Sequence, residues 1–151
     1  VFAGVGILVL AGGAGVAVAA STPQARTIRL NNPGALRLST DAWQGKVASS
    51  DKELVAFSAP IYGARAMLIN MRSAYTQHGC NTIRKMVTRW SGGENATGYA
   101  NSVAAKVGIS ADAAFPWQAN TAVQIAKAMS DWETGIAYFP LQLFVDAWGQ
   151  T

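Results

Sequence analysis

From Pro60 onward, apolar residues recur at helical spacing. Ala64, Met67, Leu68, Met71 and Tyr75 make one stripe, which predicts a helix that stops at Gly79. Asn81 is placed to cap the next helix, on which Ile83, Met86, Val87 and Trp90 share a face and Arg84, Lys85 and Arg89 lie elsewhere. Ser91-Gly92-Gly93 reads as a loop. Thr97 then caps a helix carrying Tyr99, Val103 and Val107 and ending at Gly108. A turn around Phe115-Pro116-Trp117 follows. Asn120 precedes a helix over Thr121 to Trp132, with Val123, Ile125, Ala126, Met129 and Trp132 apolar and Gly135 as its stop. Pro140 opens the last helix, where Leu141, Phe144, Val145 and Trp148 recur regularly up to Gly149.

The pattern before Pro60 differs. Val1 to Ala20 contains no charged or strongly polar residue. A bilayer core needs about 20 apolar residues in a helix. Gly4, Gly6, Gly12, Gly13 and Gly15 would weaken a helix in water, whereas lipid enforces internal hydrogen bonding and small residues permit close helix contacts. The run also reads as a cleaved secretory signal with a small-residue end, Ala17 to Ala20, or as a glycine-rich helix buried in an assembly. The expectation is a single-pass transmembrane anchor over residues 1–21. It brings a lipid bilayer as partner and homo-oligomerisation through the Gly-rich helix. Residues 22–28 are then a linker and 29–151 a globular body.

Between anchor and helices lies Arg29-Leu30-Asn31-Asn32-Pro33-Gly34-Ala35-Leu36-Arg37, continued by Trp43-Gln44-Gly45. Asn and Gly tolerate positive φ, and Pro33 holds its own φ while pushing Asn32 towards an extended conformation, so the stretch reads as a compact turn. Its amides can bond the local backbone. They can also line a cleft, with Asn32 and Arg37 offering an amide and a guanidinium to a polar ligand. Lys52 to Ser58 is the best strand candidate. The expected fold is therefore mainly α (α+β with one small hairpin at most), behind an N-terminal transmembrane helix.

Charge and cysteine usage narrow the chemistry. The net charge is +4, spread without a Lys/Arg run. That favours an anionic surface or wall polymer and makes nucleic acid an unlikely partner. The single Cys80 excludes an internal disulfide and a cysteine-built zinc site and reads as a small buried residue. His78 is the only histidine, so no Ser-His-Asp triad or His-rich metal site is visible. No metal or cofactor is expected. Among the carboxylates, Glu133 stands beside Trp132 at a helix end. A carboxyl packed on an indole is desolvated and holds its proton to higher pH, as a general acid needs when it protonates a glycosidic oxygen. The same residue also reads as a solvated helix-end glutamate. Glu94 is a second candidate acid, equally explained as a charge complementing a helix end.

The ordered set Asn31-Asn32-Pro33-Gly34-Ala35-Leu36-Arg37, Trp43-Gln44-Gly45, Phe57, Tyr62-Gly63-Ala64-Arg65-Ala66, Asn81-Thr82-Ile83, Arg89-Trp90, Glu94-Asn95-Ala96-Thr97 and Tyr99 resembles a family of small bacteriophage virion structural proteins. Their pattern runs N-N-P-G-N-I-R, W-Q-G, F, G-I-R-A, N-T-I, R-W-A-P-P-x-E-N-x-T and Y. Where that family carries H-E-N-G, this chain has Trp132-Glu133-Thr134-Gly135. More distantly, Asn32 to Arg37, Trp43-Gln44-Gly45, Val55 to Ser58 and Tyr99-Ala100 resemble lysozyme-like glucosaminidases and lytic transglycosylases. The resemblance implies a lysozyme-like helical domain, other virion proteins as partners, and a location in the virion, membrane-associated. It implies that the domain binds or cleaves peptidoglycan while the phage enters its host. Glu133 would be the general acid, and Asn32, Arg37, Trp43 and Tyr99 would hold the glycan. A lytic transglycosylase needs only one protein carboxyl. The alternative is a non-enzymatic structural virion protein linking membrane and capsid.

Overall fold

A computed structural model describes residues 25–151 and, before them, two short strands, β1 (Ile7–Val9) and β2 (Val16–Val18). These strands pair antiparallel, with Leu8 opposite Ala17. This corrects the expected transmembrane helix over its described residues. Ile and Val are β-branched and favour strand, and the glycines between them lower helix propensity. Among the described residues, no helix is long and apolar enough to cross a membrane. The remainder of the expected anchor, and the expected linker up to Gln24, lie outside the described residues.

The body is mostly helical with one small antiparallel hairpin. Its order is α1 (Arg26–Arg29), β3 (Lys46–Val47), β4 (Ala56–Phe57), α2 (Pro60–His78), α3 (Ile83–Ser91), α4 (Ala96–Val107), α5 (Ala119–Thr134) and α6 (Leu141–Trp148). Helix α1, which overlaps the end of the expected linker at residues 26–28, is packed into the body. Ile28 joins the core and Thr27 Oγ1 donates to Thr134 Oγ1 at 2.8 Å.

The helices begin and end where local chemistry dictates. Pro60 opens α2, and Gly79, Gly108 and Gly135 stop α2, α4 and α5 in left-handed conformations. Helix α3 is capped by Thr82, whose Oγ1 accepts from Lys85 N, and not by Asn81. Helix α4 starts before Thr97, after Asn95 in a left-handed conformation. The expected stripes of α2, α3 and α5 meet in the core, where Met67, Leu68, Met71, Ile83, Met86, Val87, Ile125 and Met129 are buried. Cys80 is buried there too. Helix α2 packs on α6, and α4 lies between α3 and α5. The α6 stripe departs from expectation. Phe144 and Ala147 face inward, while Leu141 and Val145 stay exposed.

The strand candidate shrinks to β4, with Phe57 opposite Lys46. Leu54, Val55, Ala56 and Phe57 are all buried, so this strand shows no in-out alternation. Above it sits the Asn-Pro-Gly turn. Gly34 presses against Met67 and Trp90, where a Cβ would come within 2.9 Å of Met67 Cγ. Trp90 Nε1 donates to Gly34 O at 2.9 Å, which ties α3 to the turn.

Candidate functional site

A cleft of about 1090 Å³ opens between the turn, α2, the α3–α4 junction and the end of α5. Glu133 lines it, two residues before the glycine cap of α5 at Gly135. Its neighbours fix its geometry. Trp132 stacks on Tyr99 of α4, with ring centroids 5.0 Å apart and an interplanar angle of 19°. Gly98 makes room for this, because a Cβ there would approach Asn95 Oδ1 at 2.9 Å and the Trp132 ring at 3.4 Å. Tyr99 Oη then reaches Glu133 Oε1 at 3.0 Å and Met129 O at 3.4 Å.

Burial raises the proton affinity of Glu133 above that of an ordinary glutamate. The Tyr99 hydroxyl and the positive charge of Arg37 act the other way, and burial wins. Tyr99 is itself buried beside this carboxyl, so its phenol is pushed far up and stays protonated. The Tyr99 hydroxyl donates to the Glu133 carboxylate, with the Met129 carbonyl as its second acceptor.

Arg37 is exposed on the wall opposite the core and lines the same cleft as Glu133 and Tyr99. Glu94 is exposed on the rim of this cleft, and its carboxylate has no hydrogen-bond or ion-pair partner among the described residues. It lacks the desolvation that sets Glu133 apart. Glu53 also lines the cleft, but Arg26 Nη2 donates to it at 2.9 Å, so it is already committed.

Two expected ligand-binding residues lie elsewhere. Asn32 is fully buried and has no face in the cleft. Its Nδ2 donates to Leu36 O and Val55 O, both at 2.9 Å, and its Oδ1 accepts from Leu36 N at 2.9 Å. The amide is spent on shaping the turn, which corrects its expected role as a ligand donor. Trp43 lines a second, adjoining pocket and not the main cleft.

The structure adds Asn70 and Ser73 of α2 to the cleft wall. Neither belongs to a motif. The signal available was their polarity beside the apolar stripe of α2, and with Arg72, Thr76 and Gln77 nearby that reads equally as a solvated face. Among the described residues, no group of three or more His, Cys, Asp or Glu side chains is placed to hold a metal ion.

Compared with known proteins, the chain matches no family model and no curated protein.

Proposed function

We propose that the body is a peptidoglycan-acting domain in which Glu133 is the general acid of a lytic transglycosylase. The observation that carries this reading is a half-buried carboxyl, whose proton affinity burial raises, on the wall of a large cleft of mixed polar and apolar lining. The step needs one carboxyl. Glu133 gives its proton to the glycosidic oxygen as the C–O bond breaks. The substrate's own C6 hydroxyl then closes on the anomeric carbon, and the Glu133 carboxylate takes that hydroxyl's proton. Atoms balance without water, and the acid is regenerated. Tyr99 and Arg37 favour the carboxylate that exists between these two transfers. Tyr99 acts here by orienting the acid, and Arg37 contributes a charge at the open side of the cleft.

The lysozyme-like fold relationship, the virion setting and the partnership with other virion proteins rest on the motif resemblance. Association with a bilayer rests on the apolar composition of residues 1–20 and not on a spanning helix among the described residues. A second reading is a non-enzymatic virion component linking membrane and capsid. It is favoured by the complete internal use of Asn32, which removes one expected ligand donor. The two readings separate in one experiment. The whole chain and its Glu133→Gln variant are incubated with purified peptidoglycan, and release of anhydro-muropeptides is measured. Release by the wild type alone supports the enzyme. No release from either protein leaves the structural role.

A further inference from the structure

We propose that Lys106 is a positioning residue for Glu133. Together with Tyr99 it makes α4 a clamp that fixes the roll of the last turn of α5, and with it the direction of the acid. The role of the acid rests on the reading above; the clamp rests on separate contacts.

Asp131 stands two residues before Glu133 and is buried. Successive residues of an α-helix turn by about 100°, so the two carboxyls leave α5 about 200° apart. Both are nevertheless held from α4. Tyr99 Oη donates to Glu133 Oε1 at 3.0 Å, and Lys106 Nζ donates to Asp131 Oδ2 at 3.2 Å. Tyr99 and Lys106 lie two turns apart on nearly the same side of α4, about 10 Å from one another along its axis. Val103 is buried between them. One side of α4 therefore grips α5 from two opposite directions.

A single contact can act as a pivot, whereas two on opposite sides oppose rotation both ways. Thr134 adds a tie to α1 through its bond to Thr27 at 2.8 Å. The roll matters at Glu133. A helix with its side chains has a radius of about 6 Å, so a roll of about 10° moves a carboxyl by about 1 Å. A misplacement of about 1 Å can cost about a hundred-fold in a positioned reaction.

Stability alone does not account for the buried charge. Replacing a buried ion pair by apolar residues of similar volume is often neutral or stabilising. Asp131 also accepts from Lys127 Nζ, one turn earlier on α5 itself. That second ion pair offsets the charge of the same carboxylate without reaching another helix, so it places no restraint on roll. Lys106 and Lys127 thus share one acid and differ in whether they span two helices.

The test compares the whole chain with Lys106→Ala, Lys106→Arg and Lys127→Ala. The Glu133 carboxyl is titrated by carbon NMR, and urea unfolding is followed in parallel. Both alanine variants lose one ion pair of Asp131 and should lose stability. Only Lys106→Ala should move the Glu133 titration, upward by about half a pH unit or more, because a slackened Tyr99 bond favours the carboxylate less. Lys106→Arg should restore the wild-type value. In a Tyr99→Phe background, Lys106→Ala should add no further shift. Tyr99 from α4 and Arg37 from the turn are the groups that face Glu133, and the three lysine variants leave both in place. Equal shifts in the two alanine variants, no shift in either, or a further shift in the Tyr99→Phe background overturns the clamp. Should Lys106→Ala fail to fold, Lys106→Met keeps the packing stem and carries the same expectation. Cleavage of purified peptidoglycan is scored separately, and Lys106→Ala should slow it about ten-fold against about two-fold at most for Lys127→Ala. A selective titration shift without cleavage by the wild type supports the clamp and removes the enzyme. Cleavage by the wild type without the selective shift overturns the clamp and leaves the enzyme.

Discussion

Replacing Asn32 by alanine should weaken the fold itself, with no ligand present. The side chain makes three hydrogen bonds, two to Leu36 within the turn and one to Val55 beside β4, each of 2.9 Å. The Leu36 carbonyl keeps a second donor, because Val55 N bonds to it at 3.0 Å. The Leu36 N–H and the Val55 carbonyl lose what the amide supplied. A buried orphaned polar group costs about 1–3 kcal/mol, so two cost about 2–6 kcal/mol. The small cavity left by the missing amide adds to this. Against a total stability of about 5–15 kcal/mol, that is a large fraction. Urea unfolding followed by tryptophan fluorescence measures it, with an unchanged m-value as the sign that the native state stayed compact. Asn32→Asp should be worse than Asn32→Ala at neutral pH, because a carboxylate oxygen would face the Leu36 and Val55 carbonyls where a donor now stands. A loss under about 1 kcal/mol for Asn32→Ala, or the reverse order of the two variants, would refute the structural role argued for this amide.

The remaining predictions concern the acid and the packing around it. Glu133 has a raised folded-state pKa, so its stabilising effect is whole below the unfolded value of about 4.3 and is lost as pH rises through the folded value. The stability gap between Glu133→Gln and wild type should therefore shift in favour of glutamine between about pH 4 and pH 8 in parallel denaturant titrations, and a gap independent of pH contradicts the burial argument. Tyr99→Phe removes a hydrogen bond that favours the ionised form, so the carboxyl titration of Glu133, followed by carbon NMR, should move to higher pH. Movement to lower pH would show that the hydroxyl stabilises the protonated acid instead. Gly63→Ala should cost about 3 kcal/mol or more in thermal or urea unfolding. Its Cβ would overlap the Asn31 carbonyl oxygen and press on Pro33 Cδ at 2.8 Å. Wild-type stability in that variant would mean that α2 and the turn are not in contact as described.

The helical body was legible because its signals are local. An apolar residue every third or fourth position, a proline at a helix start and a glycine after a helix end act over a few residues, and α2, α3, α4 and α5 follow them closely. Trp132 and Glu133 both line the cleft, but the burial of the carboxyl was not readable from their adjacency, because neighbours in a helix do not face each other and the Trp132 ring stacks on Tyr99. The same local reading failed at residues 7–9 and 16–18, where an apolar run suited both helix in lipid and paired strands. It also failed at α6, whose periodicity exposes two sides of the helix to choice. Tertiary packing chose which side was buried. It also sealed Asn32 inside the turn, moved Trp43 into a separate pocket and brought Arg37 onto the cleft wall that holds Glu133. These outcomes depend on which groups lose water when distant segments meet, and desolvation is a property of the folded surroundings, not of the neighbouring letters.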